Sequence, residues 1–118
     1  MNNIVKDKSY KFALRIVKLY KYLIEKKKET DLSKQLLRCG TSIGSNVEEA
    51  LGGQSEKDFI AKISIAYKES RETNYWLRLL KDSDLITQKE FDSIIQDCEE
   101  IQKLLASILI TMKRKLNS

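Results

Sequence analysis

Few residues of this chain have the types and spacing to do chemistry: a line of cations, a pair of carboxylates and two cysteines. Lys8, Lys11, Arg15 and Lys18 recur at steps of three and four, so on a helix they share one face. Lys113, Arg114 and Lys115 form a second basic cluster near the other end. Cations so placed can hold a phosphate backbone. Glu69 and Glu72 stand at a spacing that could present two carboxylates to a metal, but the 118 residues include no histidine. That removes Ser-His and Cys-His catalysis, the usual zinc sites and the Glu-x-x-His pairs of di-iron bundles. Ion pairing across helices, with Arg38 as the partner, is the expected role of Glu69 and Glu72. Cys39 and Cys98 fall at apolar positions of helical repeats, which reads as buried free thiols in a reducing cytoplasm. The four glycines match no phosphate-cradling loop. No catalytic residue, metal, cofactor or small-molecule substrate is expected.

Four helices must position these groups. The chain contains no proline, and its four glycines all lie between Gly40 and Gly53. Leu, Ile, Lys and Glu are abundant, so the composition reads as helical. No apolar run nears the ~20 residues that span a bilayer, and the N-terminus lacks the apolar stretch of a secretion signal. Phe12, Ile16, Leu19 and Leu23 step by four, three and four, with Asp7 a candidate cap and Lys26 to Lys28 at the negative end of the dipole. A second stripe runs through Leu32, Leu36, Gly40, Ile43, Val47 and Ala50, capped by Thr30 or Asp31 and ended by Gly52-Gly53. Gly40, Thr41, Ser42, Gly44, Ser45 and Asn46 cost that helix roughly 4 kcal/mol of intrinsic propensity, so packing must enforce it. The third stripe, Phe59 to Leu80, steps by four and three without a break behind the cap Ser55-Glu56-Lys57-Asp58. Its mid-seam hydroxyls, Ser70 and Thr73, can bond back to the preceding turn. Thr87-Gln88-Lys89-Glu90 is a capping box opening the fourth.

The expected helices are about 8–28, 32–51, 56–82 and 88–115, in one domain over 1–118. Short connections make antiparallel neighbours, so the fold class is all-α, an antiparallel up-down-up-down four-helix bundle. Counting across the turns sets Leu19 or Tyr20 opposite Gly40, with Gly40, Gly44 and Ala66 letting the second and third helices close in. The same small residues would alternatively accommodate a tyrosine ring. Counting also brings Lys8 and Lys11 beside Lys113, Arg114 and Lys115 as one patch. Residues 1–30 carry nine basic and three acidic residues, a balance of about +6 within the chain's net +5. Leu14, Ile65, Trp76 and Leu79 lie off the seams and are candidates for an exposed interface.

The run Gln35 to Glu49 resembles the signature of the small bacterial bundle proteins read from intervening sequences in 23S ribosomal RNA genes. The matching residues are Thr41, Ser42, Ile43, Asn46, Val47 and Glu49, with Gly44 as in the glycine-bearing branch. Phe59, Ala66, Glu69, Arg71, Glu72, Tyr75, Trp76 and Leu77 resemble the same family, as do Lys8, Tyr10, Phe12, Arg15, Ile16, Leu19 and Tyr20 of the opening helix. The resemblance implies an up-down four-helix bundle, commonly assembled as a pentameric ring. It is related to accessory proteins of diversity-generating retroelements, which bind nucleic acid through a basic surface. It makes Gly40, Ile43, Gly44, Asn46, Glu49 and Glu72 the helix-packing signature and supplies no catalytic residue.

The functional expectation is therefore a cytoplasmic, non-enzymatic homo-oligomer that associates with RNA or DNA. Lys8, Lys11, Arg15, Lys18, Lys113, Arg114 and Lys115 are the candidate contacts. The alternative is a protein-binding scaffold ring whose charge serves solubility.

Overall fold

The structure, a computed structural model, describes residues 2–117; Met1 and Ser118, which the one-domain reading takes in, lie outside the described residues. Four helices follow one another: α1 (Asn2–Lys26), α2 (Asp31–Leu51), α3 (Glu56–Asp82) and α4 (Gln88–Asn117). The bounds of α3 are those read from its stripe. α1 starts earlier than expected because Val5 extends the apolar stripe and is buried at 2% exposure. Asp7 thus lies inside the helix and caps nothing.

The first turn departs most from the sequence reading. Lys28 takes a left-handed φ of 56° and reverses the chain, so Lys27 and Lys28 leave the helix rather than closing its last turn. Thr30 makes no side-chain cap bond to α2. Glu29 does that work instead. Its carboxylate accepts from the Leu32 N–H at 3.0 Å and the Ser33 N–H at 2.9 Å, and the buried Ser33 hydroxyl donates to it at 2.8 Å. A longer side chain one residue upstream reaches the same orphan donors that Thr30 or Asp31 would have served.

The other two starts follow expectation. The Ser55 hydroxyl accepts from the Asp58 N–H at 3.0 Å. Thr87 and Glu90 close a reciprocal box, with Thr87 N–H donating to Glu90 at 2.8 Å and Glu90 N–H to the Thr87 hydroxyl at 3.1 Å.

Neighbours in sequence are neighbours in space, and α4 closes back on α1. Cross-helix partners run in opposite directions: Arg38 meets Glu72 while Glu49 meets Lys62, and Lys8 meets Glu100 while Arg15 meets Asp97. The helices are therefore antiparallel around one core, filled by Phe12, Ile16, Leu23, Leu36, Ile43, Ile63, Leu77, Leu80, Ile101 and Leu105. Ser70 and Thr73 are fully buried and donate to the Tyr67 and Glu69 carbonyls at 2.6 and 2.7 Å, each satisfied within its own helix.

Gly40 and Gly44 do thin α2, but toward α1 rather than α3. A Cβ on Gly40 would sit 2.8 Å from Ile16 Cγ1, and one on Gly44 would sit 3.2 Å from the Ser9 carbonyl oxygen. Ile16, not Leu19 or Tyr20, faces Gly40, about one helical turn from the counted register. The cause is the early end of α1, which moves the turn's centre toward Lys28.

Candidate nucleic-acid interface

The line of cations on α1 divides in two. Lys8 and Arg15, seven residues apart, lean toward α4, where Ser93, Asp97 and Glu100 stand at helical spacing. Lys8 pairs with Glu100, whose hydrogen bond and charge hold the ammonium's pKa above its usual range. Arg15 is tied more firmly: Nη1 donates to Asp97 at 2.6 Å and to the Ser93 carbonyl at 3.2 Å, and Nη2 to the Ser93 hydroxyl at 2.9 Å. Lys11 and Lys18, again seven apart, are exposed and have no ion pair among the described residues.

The C-terminal cluster does not join them. Lys8 is level with Glu100, and Lys113 lies thirteen residues further along α4, about 20 Å at the helical rise. Lys115 reaches back to Glu56 at 2.9 Å, on the side of the α2–α3 turn. Lys113 and Arg114 are exposed at that end of the rod. The single patch expected from counting is thus two separate basic regions, because α4 runs past the start of α1.

Sequence reasoning missed one contributor. A groove of about 460 Å³ opens between α1 and the start of α4, with a floor of Leu19, Ile86 and Ile94 and a rim of Arg15, Lys18 and Lys89. Lys89 sits in the first turn of α4, where the capping box drew attention to Thr87 and Glu90. Two smaller hollows continue the same seam, one flanked by Lys8 and Lys11 and the other by Ile4, Val5, Ile108 and Met112. α1 and α4 make the loosest of the four helix pairs. Lys8 and Arg15 span this seam to Glu100 and Asp97.

The signature residues of α2 and α3 serve packing and bracing. Ile43 is buried, Asn46 donates to the Ser42 carbonyl at 2.8 Å, and Glu49 lies 3.7 Å from Lys62. Arg38 pairs with Glu69 at 3.2 Å and with Glu72, the expected cross-helix link; Glu72 also accepts from the Trp76 indole N–H at 3.1 Å. Trp76 is consequently packed against the core with Leu79 half-buried, and only Leu14 and Ile65 of the four interface candidates are exposed. These two stand on α1 and α3, which do not touch, so the four make no common patch. Cys39 and Cys98 are free and buried. Burial pushes their thiols up to about 11 and about 12, far from thiolate chemistry at neutral pH. Among the described residues no helix is long and apolar enough to cross a membrane.

No curated protein matches the chain. Among solved structures it is similar to a protein of unknown function from the S23 ribosomal protein family of Bacteroides thetaiotaomicron VPI-5482. The two share 55% identity over 92% of this chain and 96% of that one, with a TM-score of 0.90. The family model described as 23S rRNA-intervening sequence protein matches residues 1–107. With the four antiparallel helices and the α2 signature, that match makes this chain a member of the 23S rRNA-intervening sequence protein family.

Proposed function

We propose that the protein is a non-enzymatic, self-associating accessory protein that binds nucleic acid along the α1–α4 seam. The observation that carries the reading is the convergence of Arg15, Lys18 and Lys89 on one groove, with unpaired Lys11 further along the same seam. Arg15 is held in place by Ser93 and Asp97 and frames the groove, while Lys18 and Lys89 are exposed point charges on flexible stems, suited to phosphates. Repetition of the seam in an oligomer multiplies its avidity and its salt dependence together. A filter-binding titration with structured RNA tests it. Retention at low salt should fall steeply as salt rises, and the pair Lys18→Glu and Lys89→Glu should weaken it. Absence of retention at low salt overturns the reading.

The pairing of Lys8 with Glu100 and of Arg15 with Asp97 favours one competing reading, a scaffold that binds only protein. That reading gains if a stoichiometric protein partner co-purifies and RNA does not.

A further inference from the structure

A second cleft, of about 660 Å³, lies between the outer edges of α3 and α4 and is lined by Tyr67, Lys68, Arg71, Tyr75, Arg78 and Gln102. It has the size of a small-ligand site. Lys68, Arg71 and Arg78 have no ion pair among the described residues. Two carboxylates border the cleft, but Glu72 is already engaged by Arg38 and the Trp76 indole, which leaves Glu99 alone against three cations. The cleft is therefore net positive, in contrast to the α1 line, where half the cations are neutralised.

Its aromatic wall is both exposed and fixed. Tyr75 is 49% exposed. Its ring packs edge-on with Trp76, centroids 5.1 Å apart at 76°, and the Arg78 guanidinium carbon lies 5.8 Å from its centroid. Asn74 accepts from Arg78 Nε at 2.9 Å, which orients the guanidinium. The Gln102 amide has no hydrogen bond among the described residues. An exposed ring and a guanidinium plane are the two platforms on which unstacked bases settle, and free cations beside them hold the adjoining phosphate.

We propose that the α3–α4 cleft binds one unpaired nucleotide unit. Lys68 and Arg71 take its phosphate, the Tyr75–Arg78 pair stacks its base, and the Gln102 amide meets the base edge. The site shares no residue with the α1–α4 groove and differs in kind. The groove can neutralise the phosphates of any strand, whereas the cleft requires a free base face, which a duplex hides. The cleft would take its ligand whether or not the α1–α4 groove binds nucleic acid.

Trp76 is the only tryptophan of the chain and touches Tyr75, so its fluorescence reports on the cleft. The full chain would be titrated with a short oligouridylate, with a duplex of equal length and with free uridine monophosphate. The single strand is expected to quench Trp76 and the duplex to bind more weakly. Quenching by the monophosphate assigns the cleft to free nucleotides as well, and quenching by the oligomer alone assigns it to strands. Tyr75→Ala should lower single-strand affinity about tenfold, within the range of one lost base stack, while Tyr75→Phe keeps the ring and the affinity. Arg71→Ala should reduce the salt slope by about one. Tyr75 is half in solvent, so an unchanged helical circular dichroism signal is expected for both Tyr75 variants. The inference is overturned if Tyr75→Ala binds single strands as the parent does, or if the duplex quenches Trp76 as strongly as the single strand. The Lys18→Glu and Lys89→Glu pair separates the two sites: it should weaken duplex and single strand alike, whereas Tyr75→Ala weakens the single strand only.

Discussion

At Gly40 the missing side chain decides the packing of two helices. Glycine costs a helix interior about 1 kcal/mol against alanine, so on propensity alone Gly40→Ala should stabilise α2. The structure reverses the sign. The new Cβ would meet both Cγ1 and Cγ2 of Ile16, at 2.8 and 2.9 Å, and Ile16 is fully buried and branched at its own Cβ, so a rotation that moves one of these carbons away brings another in. Overpacking of this kind costs about 1–3 kcal/mol, leaving Gly40→Ala net destabilising by up to about 2 kcal/mol and Gly40→Leu worse. Urea midpoints check this, and an Ala variant at least as stable as the parent would refute the close approach. Gly44 is the milder case: a Cβ there would lie 3.2 Å from the Ser9 carbonyl oxygen, so the α1 backbone would have to give by a small fraction of an ångström. That these positions had to be small was legible from a helical stripe that lapses into glycine. Which neighbour they admit was not, because a one-turn error in register exchanges Leu19 for Ile16.

At the scale of the element, the start of α2 rests on Glu29. Taking its carboxylate partly out of water raises the pKa, but hydrogen bonds from the Leu32 N–H, the Ser33 hydroxyl and the Ser33 N–H outweigh that and hold it below its ordinary value. Its charge also faces the positive end of the α2 dipole. A carboxyl whose folded pKa is depressed contributes stability that is present above its unfolded pKa, about 4.3, and is lost as pH falls through the lower folded value. Glu29→Gln should therefore cost about 1–2 kcal/mol near neutral pH, the size of a lost cap. The gap to the parent should close in acid. Thermal melts of the two proteins from neutral pH to well below 4 read this out, and a gap independent of pH would contradict it. The caps of α3 and α4 were readable because Ser55, Thr87 and Glu90 sit at the positions such motifs require. Glu29 was hidden by the left-handed turn at Lys28, a conformation that lysine rarely adopts and that no local residue type announces. The charge pairing between α1 and α4 was within reach of the sequence, since Ser93, Asp97 and Glu100 step by four and three. Spacing along α1 sets its cations in one line, and only the helix packed beside them decides which are paired.

At the scale of the whole molecule, the bundle is a rod of 50 × 21 × 20 Å with a radius of gyration of 15.0 Å. Its accessible surface is 7241 Å², against about 6,600 Å² expected for a compact monomer of 13.7 kDa. A rod leaves long flanks uncovered, and on α1 one flank carries Tyr10 at 58% and Leu14 at 50% exposure, one turn apart and therefore adjacent. Scattered apolar residues of this kind need no explanation, but an adjacent pair on a flank long enough to bury roughly 800 Å² per partner suits the second copy that the proposed self-association requires. The proposed self-association should therefore show as a light-scattering mass of more than one chain at micromolar concentration. Leu14→Lys should reduce it toward one chain while leaving the helical signal intact, because half of Leu14 is already in water. A parent mass of one chain removes the oligomer. A variant that remains assembled keeps the oligomer and moves its contact away from the Tyr10 and Leu14 pair, because a lysine in place of Leu14 would put a charge into any contact built on that pair.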